Sequence, residues 1–411
     1  QSTLGKAALP ETLCRRTGEF WKRRGKTVKK RILAACLICA ACLLGGCSNY
    51  IEIEKLIIVA GAAIDYDETT QMYQVTAEIL DLQGSSGKDA NYETIYIESE
   101  GESLVEAIAD MSRMAGRQLY WDHADVFVLS QSVVSHSVEP VLDWFTSDVN
   151  ARLSALVVVA GTEKASDIYQ LESLGQKSVS ISLERILENY QSKGHAIVSI
   201  NELMNSYGIK GFATCIPMVS GEQNAGQDIL VIQSYAVLKQ DVLSGVYEGK
   251  DVSYLTLLLK NPLKSVISVS IPDTEATLKM QVVSHDISVR TKMEDSILHA
   301  SVQMDLTLSV VGNMGDDSIL KSDDGEARIL EATEKTVREA CSQLIDRDIE
   351  SFGADILRIG QHIQRHDPKT WHRVEADWEN VYAGMQYELQ IRAIVDKSGK
   401  MSPINDQEEA S

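Results

Sequence analysis

Lys55-Leu-Ile-Ile-Val-Ala-Gly-Ala-Ala-Ile64, Asp65-Tyr-Asp-Glu-Thr-Thr-Gln71 and Met72-Tyr-Gln-Val-Thr-Ala-Glu-Ile-Leu80 follow one another without a break. The first segment is apolar throughout and rich in β-branched residues, which predicts a buried strand. The second is polar and predicts a turn, with Asp65 and Asp67 solvated in it. The third alternates apolar and polar residues, as a half-buried partner strand does. A sheet therefore begins here.

Downstream, a loop rich in Gly and Ser (83–91) leads to a third strand, Tyr92 to Glu98. Ser103-Leu-Val-Glu106 is a capping box opening a helix with Leu104, Ala107, Ile108 and Met111 on one face. A strand at 124–130, a helix around 132–146 and the apolar strand Leu153 to Ala160 follow. Helices are expected at 163–171, 180–191 and 200–206, before another apolar segment at 212–219. Gly221-Glu-Gln-Asn-Ala-Gly-Gln-Asp228 is polar and Gly-rich between two apolar runs, and is expected to be a linker. The expected domains are thus 47–220 and 229–402, with a polar tail at 403–411.

The second half opens with strands at Ile229–Leu238 and Val242–Tyr247 and a helix over 248–258. Long β-like runs occupy 263–271, 276–293 and 297–311, and Asp316 to Gly325 is an acidic loop. A helical pattern runs unbroken from Glu326 to about Phe352, with Ile329, Val337, Leu344, Ile345 and Ile349 as its apolar stripe. A shorter helix runs towards His366 and is expected to stop at Pro368. Trp371 to Trp378, a strand over Tyr387–Val395 and a turn at Lys397–Lys400 close the chain. Strands cluster, then helices cluster, which predicts a multi-domain α+β fold with mixed or antiparallel sheets flanked by helices, and a long helix in the C-terminal domain.

Upstream, Lys29-Lys-Arg31 precedes an apolar run from Ile32 to Leu44, too short for the roughly 20 residues that cross a bilayer. It ends in Leu44-Gly45-Gly46-Cys47, the order of a lipobox: a branched apolar residue, two small residues, then cysteine. The small residues let the backbone lie extended in a peptidase groove, and the Cys47 thiol is the nucleophile that would take a diacylglyceryl group. An ordinary signal peptide or a short buried helix would not need these four features in this order. Residues 1–46 are therefore expected to be a presequence and lipoprotein signal peptide. A start at Val28, encoded by GTG, would give that peptide an ordinary length.

The charge supports anchoring by lipid. The whole chain carries −20, and the presequence holds ten Lys/Arg against two Asp/Glu, so residues 47–411 carry about −28. Such a surface disfavours nucleic acid and electrostatic docking on anionic lipid. Two acyl chains suffice for stable attachment. After Cys47 only Cys215 and Cys341 remain, and isolated cysteines in apolar surroundings read as buried thiols rather than a disulfide framework.

A family resemblance is carried by Glu52-x-Glu-Lys-Leu-Ile-Ile-Val-x-Gly61-x-x-Ile-Asp65 and Tyr73-x-Val-Thr-Ala-Glu78. It continues in Asp348-Ile-Glu-Ser-Phe352-Gly353-Ala-Asp-Ile-Leu-Arg358, Pro368-x-x-Trp371, Trp378 and Asp396-x-x-Gly399. In this order, behind a lipobox, they resemble the Ger(x)C spore germination lipoproteins, the C subunits of nutrient germinant receptors. Two departures mark a divergent member: Ser48-Asn49-Tyr50 after the lipid cysteine, and Lys239-Gln-Asp-Val-Leu243 at the start of the C-terminal half. The resemblance implies a non-catalytic subunit without cofactor, lipid-anchored on the outer face of the spore inner membrane of a Gram-positive spore former. It also implies membrane-embedded A and B subunits as partners, and makes 229–402 a germination-protein domain. Gly61, Asp65, Phe352, Gly353, Pro368, Trp371 and Trp378 are its structural motif residues.

The remaining motifs support this non-catalytic reading. His362-Ile-Gln-Arg-His366 places two imidazoles one helical turn apart, with His372 nearby, but position 363 is Ile where a metalloprotease has its general-base Glu. A solvated helix face is the expectation. Neither Asp65-Tyr-Asp-Glu68 nor the acidic run Asp316–Asp324 has EF-hand spacing. No phosphate-binding Gly loop, no Gly-x-Ser-x-Gly elbow and no activating context for Cys215 or Cys341 occurs. Catalytic, cofactor and metal residues are expected to be none. Trp371 and Trp378 are expected in the core. The alternative reading is a solute-binding lipoprotein of a transport system, which would call for a two-lobed chain with a polar-lined cleft.

Overall fold

β1 (Leu56–Asp67) and β2 (Met72–Asp81) pair antiparallel, as the opening stretch predicts, and β3 (Glu93–Gly101) continues the sheet beyond β2. The computed structural model describes residues 56–81, 93–147, 151–171, 177–259, 264–315 and 318–396. The presequence, the lipobox with Cys47, the 83–91 loop, the 397–400 turn and the tail lie outside them. β1 runs on through Asp67, so Asp65 lies inside a strand and is buried, not in a solvated turn.

Helix α1 (Leu104–Ala115) buries Leu104, Ala107, Ile108 and Met111, the predicted face. Its cap differs in one bond: Ser103 Oγ accepts from the Glu106 amide, but the Glu106 carboxylate accepts from Glu102 N and not from Ser103 N. β4 (Gln118–Tyr120) and β5 (Val126–Leu129) then lie parallel to β1. The helix expected around 132–146 is two, α2 (Gln131–His136) and α3 (Glu139–Ser147). β6 (Leu156–Ala160) pairs parallel with β5. A 3-10 turn (Ala165–Gln170) stands where a helix was expected, followed by α4 (Val179–Ser192), the short β7 (Val198–Ser199) and α5 (Ile200–Ser206). β8 (Ala213–Asn224), β9 (Gln227–Lys239) and β10 (Val242–Glu248) complete a ten-stranded sheet in the order β10-β9-β8-β6-β5-β1-β2-β3, with β4 beside β1 and β7 beside β6.

This sheet is mixed, as expected: its centre, β1-β5-β6-β8, is parallel, and the β1–β2, β2–β3, β8–β9 and β9–β10 pairs are antiparallel. The central strands are buried on both faces, as parallel strands with crossover helices on each side must be: Phe127, Leu129, Val157 and Val159 face α1–α3, while Val126, Val128 and Val158 face α4 and the 3-10 turn. The supposed linker 221–228 is the end of the β8–β9 hairpin, where Gly221 pairs with Leu230 and Asn224 with Gln227 around Ala225-Gly226. Polar, Gly-rich composition marks a hairpin tip as readily as a linker.

The second sheet follows α6 (Asp251–Leu258). Its order is β11 (Val266–Ser270), β12 (Thr277–Glu294), β13 (Ile297–Met314), β14 (Gln386–Val395), with the last pair parallel. Between β13 and β14 come α7 (Ser318–Lys321) and the long α8 (Gly325–Arg347), which buries Ile329, Val337, Leu344 and Ile345. A single π turn, Asp348–Phe352, ends it at Gly353. α9 (Ile359–His366), α10 (Pro368–Val374) and α11 (Trp378–Ala383) complete the helical layer. Pro368 does not merely end α9. It is the first residue of α10, where its missing N–H costs nothing, and Asp367 caps that helix through Thr370 N.

Buried carboxylates hold the helices of the first sheet in place. Glu78 on β2 is fully buried and accepts from Val179 N and Ser180 N at 2.8 Å, Ser178 Oγ at 2.9 Å and Tyr96 Oη at 3.2 Å, which ties the start of α4 to the sheet. Asp65 does the same for the 3-10 turn through Ala165 N and Ser166 N. Replacing Glu78 by Gln, which substitutes a donor for an acceptor opposite two of these donors, is expected to cost about 1–3 kcal/mol of stability in urea unfolding. An unchanged midpoint and slope would show that these bonds do not hold α4.

Candidate functional site

The C-terminal motif residues meet where the two sheets join. β8–β10 turn one face to the first core, through Ile216, Met218, Ala236 and Leu238. Their other face, Cys215, Tyr235, Val237 and Tyr247, is part of the second core with α8 and the second sheet. Tyr247 Oη donates to Leu344 O on α8 at 3.0 Å, and Arg347 pairs with Asp251 at 2.7 Å beside the same ring.

Phe352 locks this contact. Its ring stands edge-on to Tyr247 with centroids 5.2 Å apart, and it occupies the space where Gly245 of β10 has no side chain; any Cβ there would overlap the ring. Ser244 Oγ donates to Phe352 O. Gly353, at φ +60, lets the chain leave the π turn in the left-handed conformation.

Trp371 and Trp378 lie on separate helices, α10 and α11, with a 3-10 turn (Glu375–Asp377) between them. Both are buried, with ring centroids 5.2 Å apart. They cover a backbone crossing that no sequence pattern announced. A Cβ on Gly360 of α9 would lie 2.5 Å from Gly211 Cα and 3.0 Å from both indoles, and one on Gly211 would lie 2.6 Å from Gly360 Cα. Pro368 sets the start of α10 so that Trp371 reaches this crossing. Gly61 and Asp65 lie elsewhere, on β1, where Gly61 packs directly on Ser180 and Val126 O.

Two buried acids organise the turn between the π segment and α9. Asp355, at φ +51, accepts from Ile359 N and Gly360 N, both at 2.8 Å, and so caps α9. Asp348 accepts from Tyr382 Oη and Ile356 N through Oδ2, while its buried Oδ1 has no partner among the described residues. Burial pushes the Asp355 carboxyl up to about 8 and the Asp348 carboxyl up to about 6, in each case outweighing the hydrogen bonds that favour the charged form.

The remaining candidates do not converge. The His362 and His366 rings stack 4.2 Å apart, His366 Nδ1 contacts His362 O, and His372 pairs with Glu375. Among the described residues no three His, Cys, Asp or Glu side chains are grouped to hold a metal ion. Cys215 and Cys341 are free, buried thiols whose pKa values burial pushes up to about 12, far from a reactive thiolate. Asp316 and Asp317 lie outside the described residues. Among them, no helix is long and apolar enough to cross a membrane.

Residues 49–221 match the family model described as the spore germination protein N-terminal domain, and residues 233–399 match the spore germination B3/GerAC-like C-terminal domain. These ranges stop on either side of the β8–β9 hairpin tip, yet β9 and β10 belong to the first sheet. Spore germination protein KC of Bacillus subtilis (strain 168) is 23% identical over 385 residues, covering 86% of this chain and 92% of the relative. Spore germination protein B3 of the same organism is 21% identical, covering 89% and 96%. The crystal structure of the GerBC protein superposes with a TM-score of 0.53 at 17% identity, covering 82% of this chain and 96% of that one, which establishes a shared fold.

The two buried acids give a signed pH prediction. In the unfolded chain both carboxyls lose their protons near pH 4, whereas in the fold they keep them to about 6 and about 8. Their contribution is therefore fully present below about pH 4 and is lost as pH rises through those values. The melting temperature of Asp355→Asn is expected to fall less than that of the parent between pH 6 and pH 9. Parallel curves over that range would contradict the assignment.

Proposed function

Because the chain belongs to the GerAC family of spore germination proteins, we propose that it is a lipid-anchored, non-catalytic subunit of a spore germinant receptor that acts through assembly or coupling with membrane-embedded A and B subunits. The observation that carries the reading is the family match over both halves of the chain. The placement of the motif residues supports it. Phe352, Gly353, Trp371 and Trp378 are engaged in fixing one sheet against the other, a use suited to a rigid adaptor. Attachment is assigned to Cys47, with Leu44, Gly45 and Gly46 as the peptidase recognition residues and a diacylglycerol as the only non-protein group.

The lipid geometry limits where the folded part can sit. Cys47 is nine residues before Leu56, a reach of at most about 30 Å if fully extended. The chain would then lie on the outer face of the spore inner membrane, close enough for lateral contact with membrane-embedded partners, while its acidic surface avoids adhesion to anionic headgroups.

Affinity purification from spore inner membranes, parent against Cys47→Ala, tests this reading. The parent is expected to bring down a membrane-embedded A and a B subunit, and the variant much less of either. Recovery of the parent alone, or with transport permease subunits, would favour a solute-capturing lipoprotein instead.

A further inference from the structure

A cleft of about 830 Å³ opens beside the junction, between the β7–α5 region and β8 on one side and β12 and α9 on the other. Part of its lining is apolar, with Phe212, Leu259, Ile287, Val289, Ile356 and Leu357, and the remainder is largely polar. Two cations reach its rim, Arg358 and Arg365 from the start and end of α9, beside the His362 and His366 rings. In a chain of net charge −20, only one acidic residue, Glu202, lines this cleft among the described residues. That carboxylate is already used: Oε2 accepts from Ser199 N at 2.9 Å and Ser199 Oγ at 3.0 Å to cap α5.

The two guanidinium groups are not ion-paired. Neither has a carboxylate within 4.0 Å among the described residues, although Glu202 and Asp355 lie near enough to attract Arg358, and Arg365 near enough to repel it. Arg358 is held in the left-handed region at φ +57 and its guanidinium rests over the Phe212 ring, 4.2 Å from the centroid. A non-glycine residue kept in that conformation has its strain met by the surroundings, and such residues gather at functional sites. The stacking fixes the plane of the guanidinium while leaving its N–H edge for a ligand. The amides at the start of α9 are taken by Asp355, so an anion here would be held by side chains and not by the helix end.

We propose that this cleft binds a small organic anion with a carboxylate head and an apolar body. The carboxylate pairs with Arg358 and Arg365, and the apolar part lies on Ile287, Val289 and Leu259. The volume is that of a small-molecule pocket, and its lining offers both an apolar patch for the body and placed charges for the head. This goes beyond the receptor-subunit reading, and neither depends on the other.

Equilibrium dialysis of radiolabelled hexanoate against the full chain in phosphatidylcholine nanodiscs, with empty nanodiscs subtracted, tests it. One saturable, salt-sensitive site is expected. The double variant Arg358→Gln, Arg365→Gln is expected to weaken binding by about tenfold or more, the scale of a lost charge-assisted pair. Val289→Asp, which places a like charge on the apolar patch from the opposite wall, is expected to weaken it similarly. Far-UV melts of each variant that match the parent tie the loss to the cleft. Absence of saturable binding in the millimolar range, or unchanged binding in the double variant, would overturn the proposal. So would displacement of hexanoate by an equal concentration of inorganic phosphate or of neutral hexanol.

Discussion

Strands β8–β10 serve two cores at once, and the rest of the molecule is arranged around that constraint. One face of each strand must fit the helices α1–α3 of the first layer, and the other must fit α8 and the second sheet. Large aromatic side chains on the second face, Tyr235 and Tyr247, fill the gap between layers while their hydroxyls reach Ala196 O and Leu344 O. Close approach elsewhere on the same surface requires the opposite solution. Gly245 yields its space to Phe352, and Gly211 meets Gly360 with no side chain between them. The tryptophan pair then closes the crossing from outside. The Phe-Gly and Pro-x-x-Trp motifs are thus parts of one joint.

Burying carboxylates is costly unless their oxygens are bonded, and this chain accepts that cost repeatedly for a positional gain. Glu78, Asp65 and Asp355 each receive the first free amides of a helical segment, converting a helix end into a fixed point on the scaffold. An acid placed this way specifies both where the segment begins and which strand or turn it leaves. Asp348 is less completely bonded, its buried Oδ1 having no partner among the described residues, and burial pushes its carboxyl up. The cleft walls, β8 on one side and α9 on the other, are set by the same joint.

Local patterns in the sequence were readable where one interaction decides them. The buried face of α1, the bounds of α5 and the strands of the second sheet follow from periodicity, because a helix or strand with one wet face must show its period. The apolar runs at 124–130 and 153–160 were readable as strands but not as parallel ones. Burial on both faces erases the alternation, and strand direction is set by helices packed on the far side. Gly221 to Asp228 misled because a hairpin tip and a linker share a composition, and the pairing that separates them is made by Ser220 with Val231 and its neighbours further along. Trp371 and Trp378 were legible as core residues, whereas Gly211, Gly245 and Gly360 were not. Their significance is a contact across the fold, for which a single glycine carries no local sign. Asp65 looked like a turn residue for the same reason, its partners lying a hundred positions away.

Because the two sheets share a core, they are expected to unfold as a single cooperative unit despite matching two family domains. Native-state hydrogen exchange at rising denaturant measures this cooperativity. The amides of Val237 in the first sheet and Val302 in the second are expected to converge on one unfolding isotherm with the same slope. If the Val302 amide instead exchanged through its own opening, at lower free energy and smaller slope while Val237 stayed protected, the shared-core account would be wrong and the halves would be independent domains.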